Sequence, residues 1–296
     1  MAVALPFVEG IAHRDVLARG VRFHVAEGGP ADAPPVVMLH GWPQHWFMWR
    51  HVVPLLIADH RLILPDLRGL GWSDAPRTGY RKDELARDVL AVLDELGVER
   101  FELVGHDWGA FAGFHLCYAA PERVGHYLAC SIPHLWPPAE RPSLRRLATL
   151  WYQVVLATPG LGAGLMRDGR ATRKVFEVAR AHGEYTEEEL AAFVDVLRQP
   201  GPASATSQYY RTFLLHELRP VVEGEFKQRT LTTPTHMLWG RRDAILRGAH
   251  ASGQHEPYAP NLTIEWVEGT GHFLPEERPE LVAERARELF GRQSGQ

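Results

Sequence analysis

The chain has little of what marks several large function classes. Its two cysteines, Cys117 and Cys130, are too few for a disulfide framework and are not spaced as metal ligands. They fall in a predicted core helix and a predicted core strand, so buried free thiols in a reducing compartment, the cytoplasm, are expected. No apolar run approaches the roughly 18 residues of a membrane-spanning helix. There is no Lys/Arg-rich block, and the formal net charge is −4, which points to neither nucleic acid nor an anionic membrane as partner. Met1 to Gly10 lack a basic segment followed by an apolar one, so no signal peptide is expected. The 16 histidines include no H-E-x-x-H, and His250 and His255 make only a weak pair in a polar loop, so no metal is expected. Gly160 to Gly164 is glycine-rich but follows no strand, which makes it a loop and not a phosphate cradle. Nothing calls for a cofactor, and there is no internal repeat.

What is present is a chain of 296 residues, long enough for one large domain or a core with an insertion. Val21 to Ala26 alternates like a half-buried strand. Val36–Leu39 and Arg61–Leu64 read as buried strands, stopped by His40-Gly41-Trp42-Pro43 and Pro65-Asp66-Leu67-Arg68-Gly69. A helix is expected from Trp46 to Ala58. A second, from Lys82 to Leu96, carries an apolar stripe at 85, 89, 92, 93 and 96 and is closed by Gly97. Phe101–Val104 and Tyr127–Cys130 are further strands on either side of a helix that ends at Pro121. This alternation predicts an α/β fold with a parallel sheet covered on both faces. From about Ile132 to Arg229 the pattern turns helical, with breaks at Pro137-Pro138, Pro159-Gly160 and Pro200-Gly201-Pro202. Thr235–Trp239 and Leu262–Val267 resume the strands, and Leu281–Phe290 is the last helix. The division expected is a core of 1–131 and 230–296, with 132–229 inserted as a helical cap. Such an insertion would lie over the strands' C-terminal ends, where open α/β sheets bind ligands.

Gly105-His106-Asp107-Trp108-Gly109 joins the strand 101–104 to the next helix. Strand, sharp turn and helix make the setting of a G-x-S-x-G nucleophile elbow, here with aspartate in place of serine. A carboxylate is already anionic at neutral pH. It is a poor acyl-transfer nucleophile, because attack on a carbonyl would leave an anhydride. Displacement at a saturated carbon leaves an ordinary ester, so epoxides and alkyl halides are the electrophiles that fit. The ester must then be hydrolysed. His272, after the last strand, is the candidate base, and Asp243, after the strand 235–239, is its orienting acid. The order nucleophile, acid, histidine is that of the G-x-S-x-G hydrolases. The main-chain N–H groups of Trp42 and Trp108 are the candidate oxyanion donors. Of nine tryptophans, Trp42, Trp46 and Trp49 stand close together and Trp108 lies in the elbow, which suits either an apolar pocket or core packing.

The four motifs His40-Gly41-Trp42-Pro43, Asp66-Leu67-Arg68-Gly69-Leu70-Gly71-Trp72-Ser73, Gly105 to Gly109 and Gly271-His272-Phe273 resemble those of the α/β-hydrolase superfamily, and within it the epoxide hydrolases. The resemblance runs nearly end to end. It implies a cis proline at Pro43 and two cap tyrosines that protonate the leaving oxygen. Tyr152, in Leu150-Trp151-Tyr152-Gln153, matches the first. Tyr210, in Gln208-Tyr209-Tyr210-Arg211, matches the second, with Tyr209 as its competitor. It also implies that His106 shapes the site without moving protons. The sister haloalkane dehalogenases usually carry Asn where Trp42 stands, although Trp108 matches their other halide donor. Some of them place the catalytic acid at the end of the strand after the elbow helix, where this chain has Ser131. Fluoroacetate dehalogenases carry arginines at the positions of Trp108 and Phe111. The expected activity is hydrolysis of a small apolar epoxide to a vicinal diol, without cofactor, by a monomer or homodimer. A haloalkane dehalogenase is the alternative, and a non-catalytic ligand sensor is a second alternative of another class. Leu135, Trp136, Leu156 and Met166 are candidates for the pocket wall.

Overall fold

The fold is that of a computed structural model, which describes residues 3–137, 151–246 and 254–291. Pro138 and His250 lie outside them. Eight strands form one sheet in the order β1-β2-β4-β3-β5-β6-β7-β8. They are β1 (Ile11–Ala18), β2 (Val21–Gly28), β3 (Pro35–Leu39), β4 (Arg61–Pro65), β5 (Phe101–His106), β6 (Val124–Cys130), β7 (Thr235–Gly240) and β8 (Leu262–Val267). The pairs β1–β2 and β2–β4 are antiparallel, and the other five are parallel.

The central strands are short and apolar because both of their faces are covered. Val37, Leu39, Ile63, Leu103, Tyr127 and Ala129 point into one core, under the helices α1 (Lys82–Glu95) and α2 (Asp107–Ala119). Their neighbours Val36, Met38, Leu62, Val104, Leu128 and Cys130 point into the other. This two-residue alternation is the strand period. Both cysteines are free and buried, as expected.

Between β6 and β7 the described chain is helical: α3 (Trp151–Ala157), α4 (Leu161–Asp168), α5 (Arg170–Ala179), α6 (Glu187–Leu197) and α7 (Pro200–Thr212). Local signals set these limits. Thr186 and Glu189 form a reciprocal capping box that starts α6, and Pro200 opens α7 where a missing N–H costs nothing. A π-helical turn, Phe213–Glu217, continues α7. The insertion packs on the loops that follow the strands' C-terminal ends. Tyr209 Oη donates to the Arg68 carbonyl at 3.0 Å, and the His272 N–H donates to the Ala179 carbonyl at 2.8 Å. The final helix, α8 (Pro279–Phe290), buries Val282, Ala283 and Ala286 in the second core. No helix among the described residues is long and apolar enough to cross a membrane.

Two elements differ from expectation. β1 is a full strand, although its mostly exposed sequence carries little apolar signal. The helix expected over 46–58 is instead a 3₁₀ turn, Trp46–Trp49, followed by one α-turn, Val53–Leu56. Pro54 has no N–H to donate, so a helix cannot run through it from Trp46.

Candidate active site

Asp107 ends the path of β5 and opens α2 with φ +49°, a left-handed conformation that costs a non-glycine residue about 1–3 kcal/mol and gathers at functional sites. Close neighbours enforce the turn. A Cβ on Gly109 would stand 2.3 Å from the His40 carbonyl oxygen, and one on Gly41 would stand 2.4 Å from the Asp107 Cβ. Only glycine lets these two loops approach so closely.

The two oxygens of Asp107 have different partners. Oδ1 accepts the Trp42 main-chain N–H at 2.9 Å, and Oδ2 lies 3.6 Å from His272 Nε2. On the other side of the imidazole, Nδ1 donates to Asp243 Oδ2 at 2.8 Å. Asp243 is fixed in turn, because its Oδ1 accepts the N–H groups of Ile245 and Leu246, each at 2.9 Å. All three side chains are buried. Trp108 is the second residue of α2, where an N–H has no acceptor within the helix.

The charges are strongly coupled. Burial alone would lower the His272 pKa, but Asp243 and Asp107 outweigh it and push it up to about 10. Burial opposes ionisation of Asp243, yet His272 and the two N–H groups hold its carboxyl below the usual range. His106 is pushed the other way, to about 4, by burial and by the neighbouring His272. It is therefore neutral near pH 7. Its Nε2 donates to the His272 carbonyl at 2.8 Å, which ties the elbow to the loop that carries His272.

The tyrosines separate into two kinds. Tyr209 is committed to the Arg68 carbonyl and packs on Tyr80, ring centroids 5.5 Å apart. Tyr210 points elsewhere. Its ring meets Trp42, Trp108 and Tyr152 at centroid distances of 5.3, 5.6 and 6.1 Å. Tyr152 Oη accepts a hydrogen bond from Gln153 Nε2 at 3.2 Å, which leaves its proton free to be given. Burial raises the Tyr152 pKa to about 12 and holds that of Tyr210 well above the usual phenol value, and the Asp107 charge adds to both. Both are phenols near pH 7.

The other six candidate site residues thus lie around the Asp107 carboxylate. The four tryptophans do not stay together. Trp42 and Trp108 flank Tyr210, whereas Trp46 and Trp49 are buried in the core on the other face of the sheet. Leu135, Trp136, Leu156 and Met166 are all buried in the core that also holds Trp42, Trp108 and Tyr210. The peptide bond before Pro43 is cis. Ser131, the residue after β6, is buried, and no carboxylate stands there.

Several residues outside the candidate set support the site. Asp66 binds the loop after β3 to the loop after β4: its Oδ1 accepts the Trp46 N–H, and its Oδ2 accepts from His24 Nδ1 and the Trp72 N–H. Thr206, in α7, accepts the Trp42 indole N–H at 3.0 Å. Gln153 and the Lys82–Glu217 pair are two more.

A parallel sheet with an antiparallel edge, an elbow after β5, an acid after β7 and a histidine after β8 define an α/β-hydrolase. Residues 34–279 match the family described as alpha/beta hydrolase fold, and the chain belongs to it. Within that fold it belongs to the epoxide hydrolase family. It is 30% identical over 293 residues to the soluble epoxide hydrolase of Corynebacterium sp. (strain C12), covering 95% of this chain and 97% of that one. It is 31% identical over 281 residues to epoxide hydrolase 4 of Mus musculus, covering 89% of this chain and 74% of its relative. The solved structure of the epoxide hydrolase CorEH superposes with a TM-score of 0.84 at 28% identity, over 95% of this chain and 99% of that one.

Proposed function

We propose that this protein hydrolyses small, apolar epoxides to vicinal diols through an ester on Asp107. The observation that carries this reading is the division of labour at Asp107, with Oδ1 on an oxyanion donor and Oδ2 toward the His272 base. In the first step Oδ2 attacks an epoxide carbon, the C–O bond breaks, and the leaving oxygen takes a proton from Tyr152 or Tyr210 while the other tyrosine hydrogen-bonds to it. A phenol supplies what an alkoxide leaving group needs and a halide does not.

The proton balance closes on the same residues. In the resting state His272 is a cation between two carboxylates. Alkylation erases the Asp107 charge, so the His272 pKa falls, and its proton refills the tyrosinate through solvent or substrate oxygen. Neutral His272 can now accept a proton from water as that water attacks Cγ. The negative charge that develops on Oδ1 meets the N–H groups of Trp42 and Trp108. Collapse expels the diol with the former Oδ2 and returns Asp107 as an anion beside a cationic His272. The net reaction is epoxide plus water to diol. Asp243 keeps the Nδ1 proton in place and stabilises the imidazolium.

Epoxide specificity follows from the site's lining. The rings of Trp42 and Trp108, the two residues that carry the candidate oxyanion donors, pack on Tyr210, and the positions where a substrate carboxylate would need arginine hold Trp108 and Phe111. One observation favours haloalkane dehalogenation as the second reading: the buried Trp108 indole N–H makes no hydrogen bond of ordinary geometry among the described residues, which would suit a halide donor. Against it, the Trp42 indole is committed to Thr206. Incubation with styrene oxide and with 1-bromobutane, with diol and bromide measured, separates the two. Diol from the epoxide is expected. Bromide without diol supports the dehalogenase, and neither product supports a non-catalytic role.

A further inference from the structure

Lys82 is one of three lysines in the chain, and its side chain is fully buried at the start of α1. Its ammonium is held on three sides. Nζ donates to Glu217 Oε2 and to the Tyr209 carbonyl, each at 3.0 Å, and lies 4.2 Å from the centroid of the Trp108 ring. The Lys82 main-chain N–H donates to Glu217 Oε1 at 2.7 Å, so the same carboxylate caps α1. The rings of Tyr209 and Phe213, 5.5 and 5.6 Å from Nζ, close the remaining space.

A buried ion pair is a weak source of stability, since desolvation takes back most of the Coulombic gain. The location of this one is specific. Glu217 ends the π-helical turn that follows α7, a rare geometry that recurs at functional sites. The ammonium binds the carbonyl of the residue before Tyr210, and it lies on the indole against which Tyr210 packs. The Trp108 backbone is already fixed by α2. The group left for Lys82 to set is therefore the Tyr210 ring, approached from two directions.

We propose that Lys82, anchored by Glu217, is a positioning residue that holds Tyr210 in place for epoxide ring opening. This rests on the epoxide reading above. Lys82→Met keeps the length of the side chain and removes its charge and donors. Alkylation and ester breakdown are measured separately in single turnovers with styrene oxide, with competent sites counted from the burst amplitude. Alkylation per competent site should fall roughly tenfold. Ester breakdown, which does not use Tyr210, should stay within about twofold. In a Tyr210→Phe background the same change should cost less than about twofold, because the hydroxyl it positions is gone. A lysine that merely stabilises the fold would reduce the number of competent sites or slow both steps, and its effect would add in full to that of Tyr210→Phe. Either result overturns the proposal. Should Lys82→Met not fold, Glu217→Gln keeps the shape and removes the charge that anchors the ammonium. Slower alkylation with unchanged breakdown is expected there, and unchanged alkylation overturns the proposal. Absence of alkylation in the wild type, by contrast, would remove the epoxide reading and this inference with it.

Discussion

Replacing Asp243 by Asn should separate the two halves of the reaction, and the geometry says by how much. The Asp243 Oδ1 accepts two main-chain N–H groups, from Ile245 and Leu246. In Asp243→Asn that position must still be an oxygen, so the amide NH₂ is forced to where Oδ2 now faces His272 Nδ1. An NH₂ there donates to Nδ1, and neutral His272 then carries its proton on Nε2, the atom that must take one from water. Loss of one charge-assisted hydrogen bond alone would be worth about 1.5–3 kcal/mol, or roughly 10- to 150-fold. The wrong tautomer adds to this, so ester breakdown should slow by about 10³- to 10⁴-fold. Alkylation does not require the base and should remain within about an order of magnitude. Rapid-quench kinetics with styrene oxide should show a preserved burst followed by a depressed steady state. A wild-type steady-state rate in this variant would show that another residue orients His272, and the relay would be refuted.

Other consequences follow from the same geometry. Tyr152→Phe and Tyr210→Phe should each slow single-turnover alkylation by roughly 10- to 100-fold, and the double change should nearly abolish it; unchanged alkylation in the double variant removes the tyrosines from the mechanism. Tyr209→Phe should leave alkylation unaltered while lowering stability by about 1–2 kcal/mol in denaturant unfolding, because the buried Arg68 carbonyl loses its donor; a loss of alkylation there would reverse the choice between the neighbouring tyrosines. The His272 pKa, about 10 beside the two carboxylates, must drop once the ester removes the Asp107 charge. Ester breakdown needs the neutral ring, so its rate should rise with pH through that lower value and then level off, while alkylation stays flat; breakdown that slows as pH rises between about 5 and 8 contradicts the base assignment.

The elbow was readable in the sequence because its constraints are local. Gly105, Asp107 and Gly109 sit within one turn, and the close approaches that demand glycine are set by that turn and the loop beside it. The candidate acid and base are legible for a related reason, since each follows a recognisable strand, β7 or β8. β1 was not, because its side chains are largely exposed and leave no apolar alternation. Trp46 and Trp49 could not be distinguished from Trp42 by composition, and the chain passes to the other face of the sheet within a few residues. In the sequence only resemblance to a motif separates Tyr210 from Tyr209; the hydrogen bond from Tyr209 to the Arg68 carbonyl, visible only in the fold, supports the same preference. Lys82 and Glu217 lie 135 positions apart, and only the fold brings them together.

The covalent ester is the centre of this account, and the origin of one oxygen tests it most directly. Excess wild-type enzyme is to turn over styrene oxide once in H₂¹⁸O, followed by mass spectrometry of the diol and of the peptide that contains Asp107. If Oδ2 attacks carbon and water attacks Cγ, the diol leaves with an enzyme oxygen and carries no label, while Asp107 gains ¹⁸O. Label in the diol with none in Asp107 would mean that water attacks the epoxide directly, and the central claim would be wrong.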